Sequence, residues 1–135
     1  MKCAKDLETT KNMVIAEAER KAICKAIEEH QRACEEAIKF CEEVIAPALE
    51  EQANNGKELI YYKSAHFGTD LFNNKHFYLY NHVCYKYNNK IETKDIPTSE
   101  KIDFNTLQQY LRKYCFSCEQ TACGIKIVPN IKCED

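Results

Sequence analysis

The chain has 135 residues, of which 44% are hydrophobic and 30% charged, with a formal net charge of −2. That is enough apolar material for a core, which excludes a disordered tail, and the slightly acidic balance excludes a generally basic, nucleic-acid-coating protein. No apolar run approaches the roughly 18 residues that a membrane-spanning helix needs.

The N-terminus, Met1-Lys2-Cys3-Ala4-Lys5-Asp6, alternates charge and forms no apolar signal core, so the expected location is cytoplasmic. The length fits a single domain over residues 1–135, with a long helix at about 10–55 and a strand and helix part at about 57–130. Residues 1–56 carry 8 Lys/Arg against 12 Asp/Glu, whereas residues 57–135 carry 11 against 9.

From Asn12 to about Ala46, Ala, Glu, Lys, Ile and Arg dominate without Gly or Pro, which predicts a helix capped by Thr9 or Thr10. Ile27, Gln31, Cys34, Ile38, Cys41, Ile45 and Ala48 alternate steps of four and three and form its seam, widened by Ile23, Ala37, Phe40 and Val44. Pro47 predicts a kink or a fresh start, and Asn54-Asn55-Gly56 a stop. Such a helix is roughly 50 Å long, against a radius of gyration of about 14 Å for a domain of this size. Its first turns therefore project into solvent, or a second copy covers the seam as in a coiled-coil homodimer.

Glu58–Lys63 reads as a strand and Ser64–Lys75 as a loop. Residues 76–87 are aromatic-rich and read either as a hairpin turning at Asn81-His82 or as one longer strand. Asn88–Ser99 is a polar connector. Asp103 or Asn105 caps a second helix carrying Leu107, Tyr110, Leu111 and Tyr114, which ends between Cys115 and Gly124. Ile125–Val128 is a last strand. The expected fold is α+β, a long N-terminal helix packed on a small, mostly antiparallel sheet with a second helix before the last strand.

Nine cysteines are many for this length. Cys34 and Cys41 are roughly 10 Å apart along one helix, beyond the reach of a disulfide, so reduced thiols acting as small hydrophobes are the expectation. Cys115-x2-Cys118-x4-Cys123-x9-Cys133 offers four thiols, the number that tetrahedral zinc takes. The spacing departs from a zinc knuckle at its third ligand and its last gap. Cys115-x2-Cys118 also falls at a helix end, where the dipole does not activate a redox thiol.

His76, His82 and Cys84 could share a sheet face as an enzymatic site, but no HExxH, GxSxG or glycine-rich phosphate loop accompanies them. Glu28, Glu35 and Glu42 repeat every seven residues as an acidic stripe. Tyr78, Tyr80, Tyr85 and Tyr87, interleaved with lysine, suit a protein interface, single-stranded nucleic acid or a nucleotide, or ordinary sheet packing.

Two stretches carry a resemblance: Ala48…Asn54-Asn55-Gly56…Leu59-Ile60-Tyr61, and Leu107-x2-Tyr110-Leu-Arg-Lys-Tyr-Cys-Phe116. Their order resembles that of small phage- and prophage-encoded accessory proteins of Firmicutes, with which the richness in Asn, Lys and Ile agrees. In those proteins the second helix often ends in Gly-Tyr-x-Val, where this chain has Tyr114-Cys115-Phe116-Ser117. The resemblance transfers no catalytic residue. It implies a non-enzymatic binding protein acting by protein–protein contact, such as an anti-CRISPR-like inhibitor of a host defence nuclease whose basic channel the acidic stripe would occupy. The alternative is a zinc-, nucleic-acid- or nucleotide-binding module built on the C-terminal cysteines and the Tyr/Lys strands.

Overall fold

The computed structural model describes residues 1–130. Its fold is α+β, as the order of apolar periods requires. The first helix, α1, runs over Ala4–Phe40, passes through a π turn at Cys41–Ile45, and continues as α2 over Ala46–Asn54. The strands are β1 (Tyr61–Thr69), β2 (Lys75–Tyr87), β3 (Lys90–Pro97), β4 (Ile102–Asp103), β5 (Phe116–Gln120) and β6 (Gly124–Pro129), with helix α3 over Phe104–Arg112. They form one antiparallel sheet in the order β3-β2-β1-β6-β5, and the short β4 adds to β2.

The helix starts at Ala4 rather than near Asn12. Thr9 and Thr10 do not cap it; their hydroxyls donate back to the carbonyls of Lys5 and Asp6, each 3.0 Å away, as helix-interior threonines do. Pro47 falls in the first turn of α2, so the α-helix starts afresh there, directly after the π turn and without leaving the helix. The Ala46 N–H bonds to the Cys41 carbonyl five residues back, and the wider π turn gives the proline ring room that a regular turn lacks.

The buried face only partly matches the expected one. Cys41, Ile45, Ala37 and Phe40 are buried as expected and Ala33 and Leu49 join them, whereas Ile23 and Val44 are exposed. Ile27 and Ile38, expected inside, are 44% and 38% exposed. Small alanines face the body, and Phe40 fills the space they leave, packing edge-on against Phe77 and Tyr61. Phe67, Phe77 and Phe104 extend this aromatic cluster. Around it lie Ile102, Leu107, Leu111, Ile125 and Ile127.

The strand region is more ordered than its composition suggests. β1 continues to Thr69, through what reads as loop, because the turn is compressed into residues 70–74 by the Asp70 carboxylate. Its Oδ1 accepts from the backbone N–H of Phe72 at 2.9 Å and of Asn74 at 2.8 Å. β1 is shared lengthwise: residues 61–64 pair with β6 and residues 65–69 with β2. Residues 76–87 lie in one long strand, and the hairpin turns at Asn88-Asn89 instead of Asn81-His82. Both asparagines have positive φ, 50° and 62°, the conformation of a two-residue hairpin loop. The polar connector that follows is therefore β3. Likewise α3 stops at Arg112, Cys115 turns the chain at φ 60°, and β5 occupies most of the stretch to Gly124. A Cβ at Gly124 would collide with the Lys63 carbonyl of β1, so only glycine permits this close pairing.

Candidate functional site

Two parts of the chain stand clear of this core. Residues 1–25 are all exposed, and Ala26 is the first to be partly buried. The free helical segment, residues 4–25, is thus an arm roughly 33 Å long. Its side-chain ion pairs, Lys11–Glu8, Arg20–Glu17 and Lys25–Glu29, bind the helix to itself. Met13, Ile23 and Ile27 lie exposed on it at helical spacing, and the steps Ile23, Ile27, His30, Cys34, Ala37, Cys41 carry one face of the arm into the core. Leu7, Val14 and Ile15 are exposed as well.

The second projection is the β2–β3 ribbon. Beyond Leu79, β2 pairs among the described residues only with β3, from Tyr80↔Pro97 to Tyr87↔Lys90. A two-stranded ribbon has little stability of its own in water. Tyr85, Tyr87 and Ile91 are exposed on it.

The four tyrosines singled out from sequence do not form one patch. Alternation places Tyr78 and Tyr80 on one face of β2 and Tyr85 and Tyr87 on the other. Tyr78 and Tyr80 are half-buried, and the Tyr80 hydroxyl lies 3.3 Å from His66 Nδ1. His82 and Cys84 are exposed on the ribbon, with His82 Nδ1 3.0 Å from Asp95 Oδ1. His76 is buried, about 20 Å along the strand from His82. These three residues share a face but form no joint site.

Glu28, Glu35 and Glu42 are exposed along the helix where it lies on the body, not on the arm. Glu42 is engaged internally, accepting the Tyr110 hydroxyl at 2.6 Å, and that bond pushes the phenol pKa up. Of the C-terminal cysteines, Cys133 lies outside the described residues. Cys118 is buried in the core, Cys115 half-buried and Cys123 exposed. Among the described residues these three thiols do not converge, since the strand places Cys118 inward. Burial pushes the Cys118 thiol up to about 12, and Cys41 to about 12 by burial and then by Cys118 itself.

Chemistry-bearing side chains do converge where the arm meets the body. His30 and Cys34, one turn apart on α1, meet Asp103, which ends β4 and caps α3. The His30 ring has Nε2 3.6 Å from Cys34 Sγ, and Nδ1 3.7 Å from both Asp103 Oδ1 and Asp70 Oδ2. Asp103 is 3% exposed. Its Oδ2 accepts from the Thr106 backbone N–H at 3.0 Å and from the Thr106 hydroxyl at 2.7 Å. That hydroxyl is also 3.2 Å from Cys34 Sγ, so its one proton serves either acceptor.

Asp103 Oδ1 is buried and has no hydrogen-bond partner. Burial works against the Asp70 carboxylate, but its hydrogen bonds from Asn74 and Phe72, with His30 nearby, hold its pKa below the usual range. Burial, partly offset by the Thr106 hydroxyl, pushes the Cys34 thiol up, which disfavours a free thiolate nucleophile. Beside this cluster, His76 is held below the usual imidazole range by burial and by Lys101.

By sequence alone Cys34 reads as a core hydrophobe and Asp103 only as a cap. His30 and Cys34 at i,i+4 were the legible half of the cluster; the pairing of β4 with β2 supplies the rest. Comparison with protein-family models, with curated proteins and with solved structures finds no match.

Proposed function

We propose that this protein is a non-enzymatic binding protein that acts by protein–protein contact, with the helical arm as its recognition element. One observation carries the reading: residues 1–25 are exposed throughout and present Leu7, Met13, Val14, Ile15 and Ile23 to solvent. An amphipathic helix laid in an apolar groove is a common recognition mode. The ribbon's exposed Tyr85, Tyr87 and Ile91 offer a second contact of the same kind.

The resemblance to phage accessory proteins supports a finer reading, an inhibitor of a host defence nuclease working in the bacterial cytoplasm. In that reading the arm enters an apolar groove while Glu28 and Glu35 at its base face a basic nucleic-acid channel. The variant Ile23→Glu/Ile27→Glu tests it. Both residues are exposed, so the fold should persist by circular dichroism. Expressed in a Firmicute carrying a DNA-targeting defence nuclease, the native protein should protect incoming phage DNA and the variant should not. Equal protection by both removes the arm from the mechanism; protection by neither removes the nuclease.

A homodimer through the arm is the second reading. It is favoured by the exposed apolar positions that continue the core-facing row of α1 outward. Sedimentation equilibrium separates the two, since a homodimer shows concentration-dependent mass that the same variant abolishes.

A further inference from the structure

We propose that His30, Cys34 and Asp103 form a binding site for a zinc-class divalent metal ion at the root of the helical arm. The three side chains offer one imidazole nitrogen, one thiolate and one carboxylate oxygen, all within 4.8 Å of one another. Tetrahedral zinc, with bonds of about 2.0–2.3 Å, holds its ligands roughly 3.3–3.8 Å apart. The 3.6 Å from His30 Nε2 to Cys34 Sγ falls in that range; Nδ1, 3.7 Å from Asp103 Oδ1, is the ring's other nitrogen and does not bind the same ion, so the three ligand atoms are brought together only to within 4.8 Å.

The decisive group is Asp103. A buried carboxylate oxygen without a partner is costly, and this one points at the imidazole from a side chain only 4% exposed. The other oxygen accepts from the Thr106 backbone N–H, which holds the carboxylate with Oδ1 toward the cluster whichever acceptor the Thr106 hydroxyl serves. A cation accepted there satisfies the orphaned oxygen.

The surroundings have the features of an outer shell. The Thr106 hydroxyl, 3.2 Å from Sγ, donates to a bound thiolate. Asp70 Oδ2, near His30 Nδ1, stands where a carboxylate orients a metal-bound histidine. The ligand mix suits zinc better than magnesium or calcium, which take oxygen alone. Three protein ligands leave a fourth position for water, for Asp70, or for a donor from a bound partner. The ion would join the base of the arm to the α3 N-terminus and set the angle at which the arm leaves the body.

Cobalt(II) titration of the full-length, reduced protein tests the site. A single equivalent should bind, with visible d–d absorption of tetrahedral intensity and a near-ultraviolet thiolate-to-cobalt band, both displaced by zinc. The thiolate band should vanish in Cys34→Ser. Metal affinity should fall in His30→Gln and Asp103→Asn, and by about 10–100-fold in Asp70→Asn. Cys123→Ser and Cys133→Ser should bind as the native protein does. If Cys34→Ser misfolds by circular dichroism, His30→Gln decides, since His30 is partly exposed and outside the core. Absence of the thiolate band in the native protein overturns the proposal. So does its survival in folded Cys34→Ser, unchanged affinity in His30→Gln, or its loss in the C-terminal cysteine variants.

Discussion

Deleting residues 1–25 should leave the body almost as stable as before. None of these residues is buried, and the ion pairs within the arm reach no further than Glu29 on the same helix. Such exposed pairs contribute about 0.3–0.5 kcal/mol each, mostly to the helix they decorate. The expected change in unfolding free energy is therefore below about 1 kcal/mol, or a shift in Tm of no more than about 4 °C. Helical ellipticity should nevertheless fall by roughly a third, because 22 helical residues are removed from the helices described here. The control is Phe40→Ala, which should cost about 3–5 kcal/mol by emptying the centre of the aromatic cluster. Thermal denaturation followed at 222 nm measures both. A fall in Tm of more than about 10 °C for the truncated chain, or loss of its cooperative transition, would refute the idea that the arm stands apart from the fold. A Tm that falls only at high protein concentration would place the lost contacts between copies.

Other outcomes follow from single contacts. Gly124→Ala should destabilise by about 1–3 kcal/mol, because the new Cβ meets the β1 backbone, which cannot move away as a side chain could; chemical denaturation reads it. Asp103→Ala should cost about 1–3 kcal/mol by leaving both Thr106 donors without their acceptor, whereas Asp103→Asn keeps a good cap and should cost less. Acidification should lower stability in two stages. His76 has a depressed pKa in the fold, so the unfolded chain takes up its proton first, and stability falls as pH drops below about 6.5. Asp70 is also depressed, so its contribution is full above about pH 4 and lost below that. Tm measured against pH should lose the first stage in His76→Gln and the second in Asp70→Asn. Alkylation at pH 8 should modify Cys3, Cys24, Cys84 and Cys123 within the time that spares Cys41 and Cys118. With both buried thiols raised to about 12, roughly one in 10⁴ is ionised at that pH. Mass spectrometry showing equal labelling would contradict their placement.

Local chemistry was enough to read the long helix, its excess length, its stop near Gly56, the Asp103 cap and the α+β class. Each depends on residues adjacent in sequence or repeated at 3.6 or 2.0 residues. The strand boundaries were less legible. Asn88-Asn89 reads as polar linker until its two positive φ angles make it a tight hairpin turn, and the stretch before Lys75 reads as loop until Asp70 is seen to fold its own backbone. Which face of the helix turns inward was decided by tertiary packing. Ile27 and Ile38 fit the period as well as Ala33 does, yet Ala33 is buried with Ala37 and Phe40 while the two isoleucines stay exposed. The same docking carried Cys34 away from the core and placed it beside His30, Asp70 and Asp103, residues up to 73 positions apart whose meeting depends on β4 pairing with β2. Periodicity identifies which residues share a face, while long-range pairing decides what that face meets.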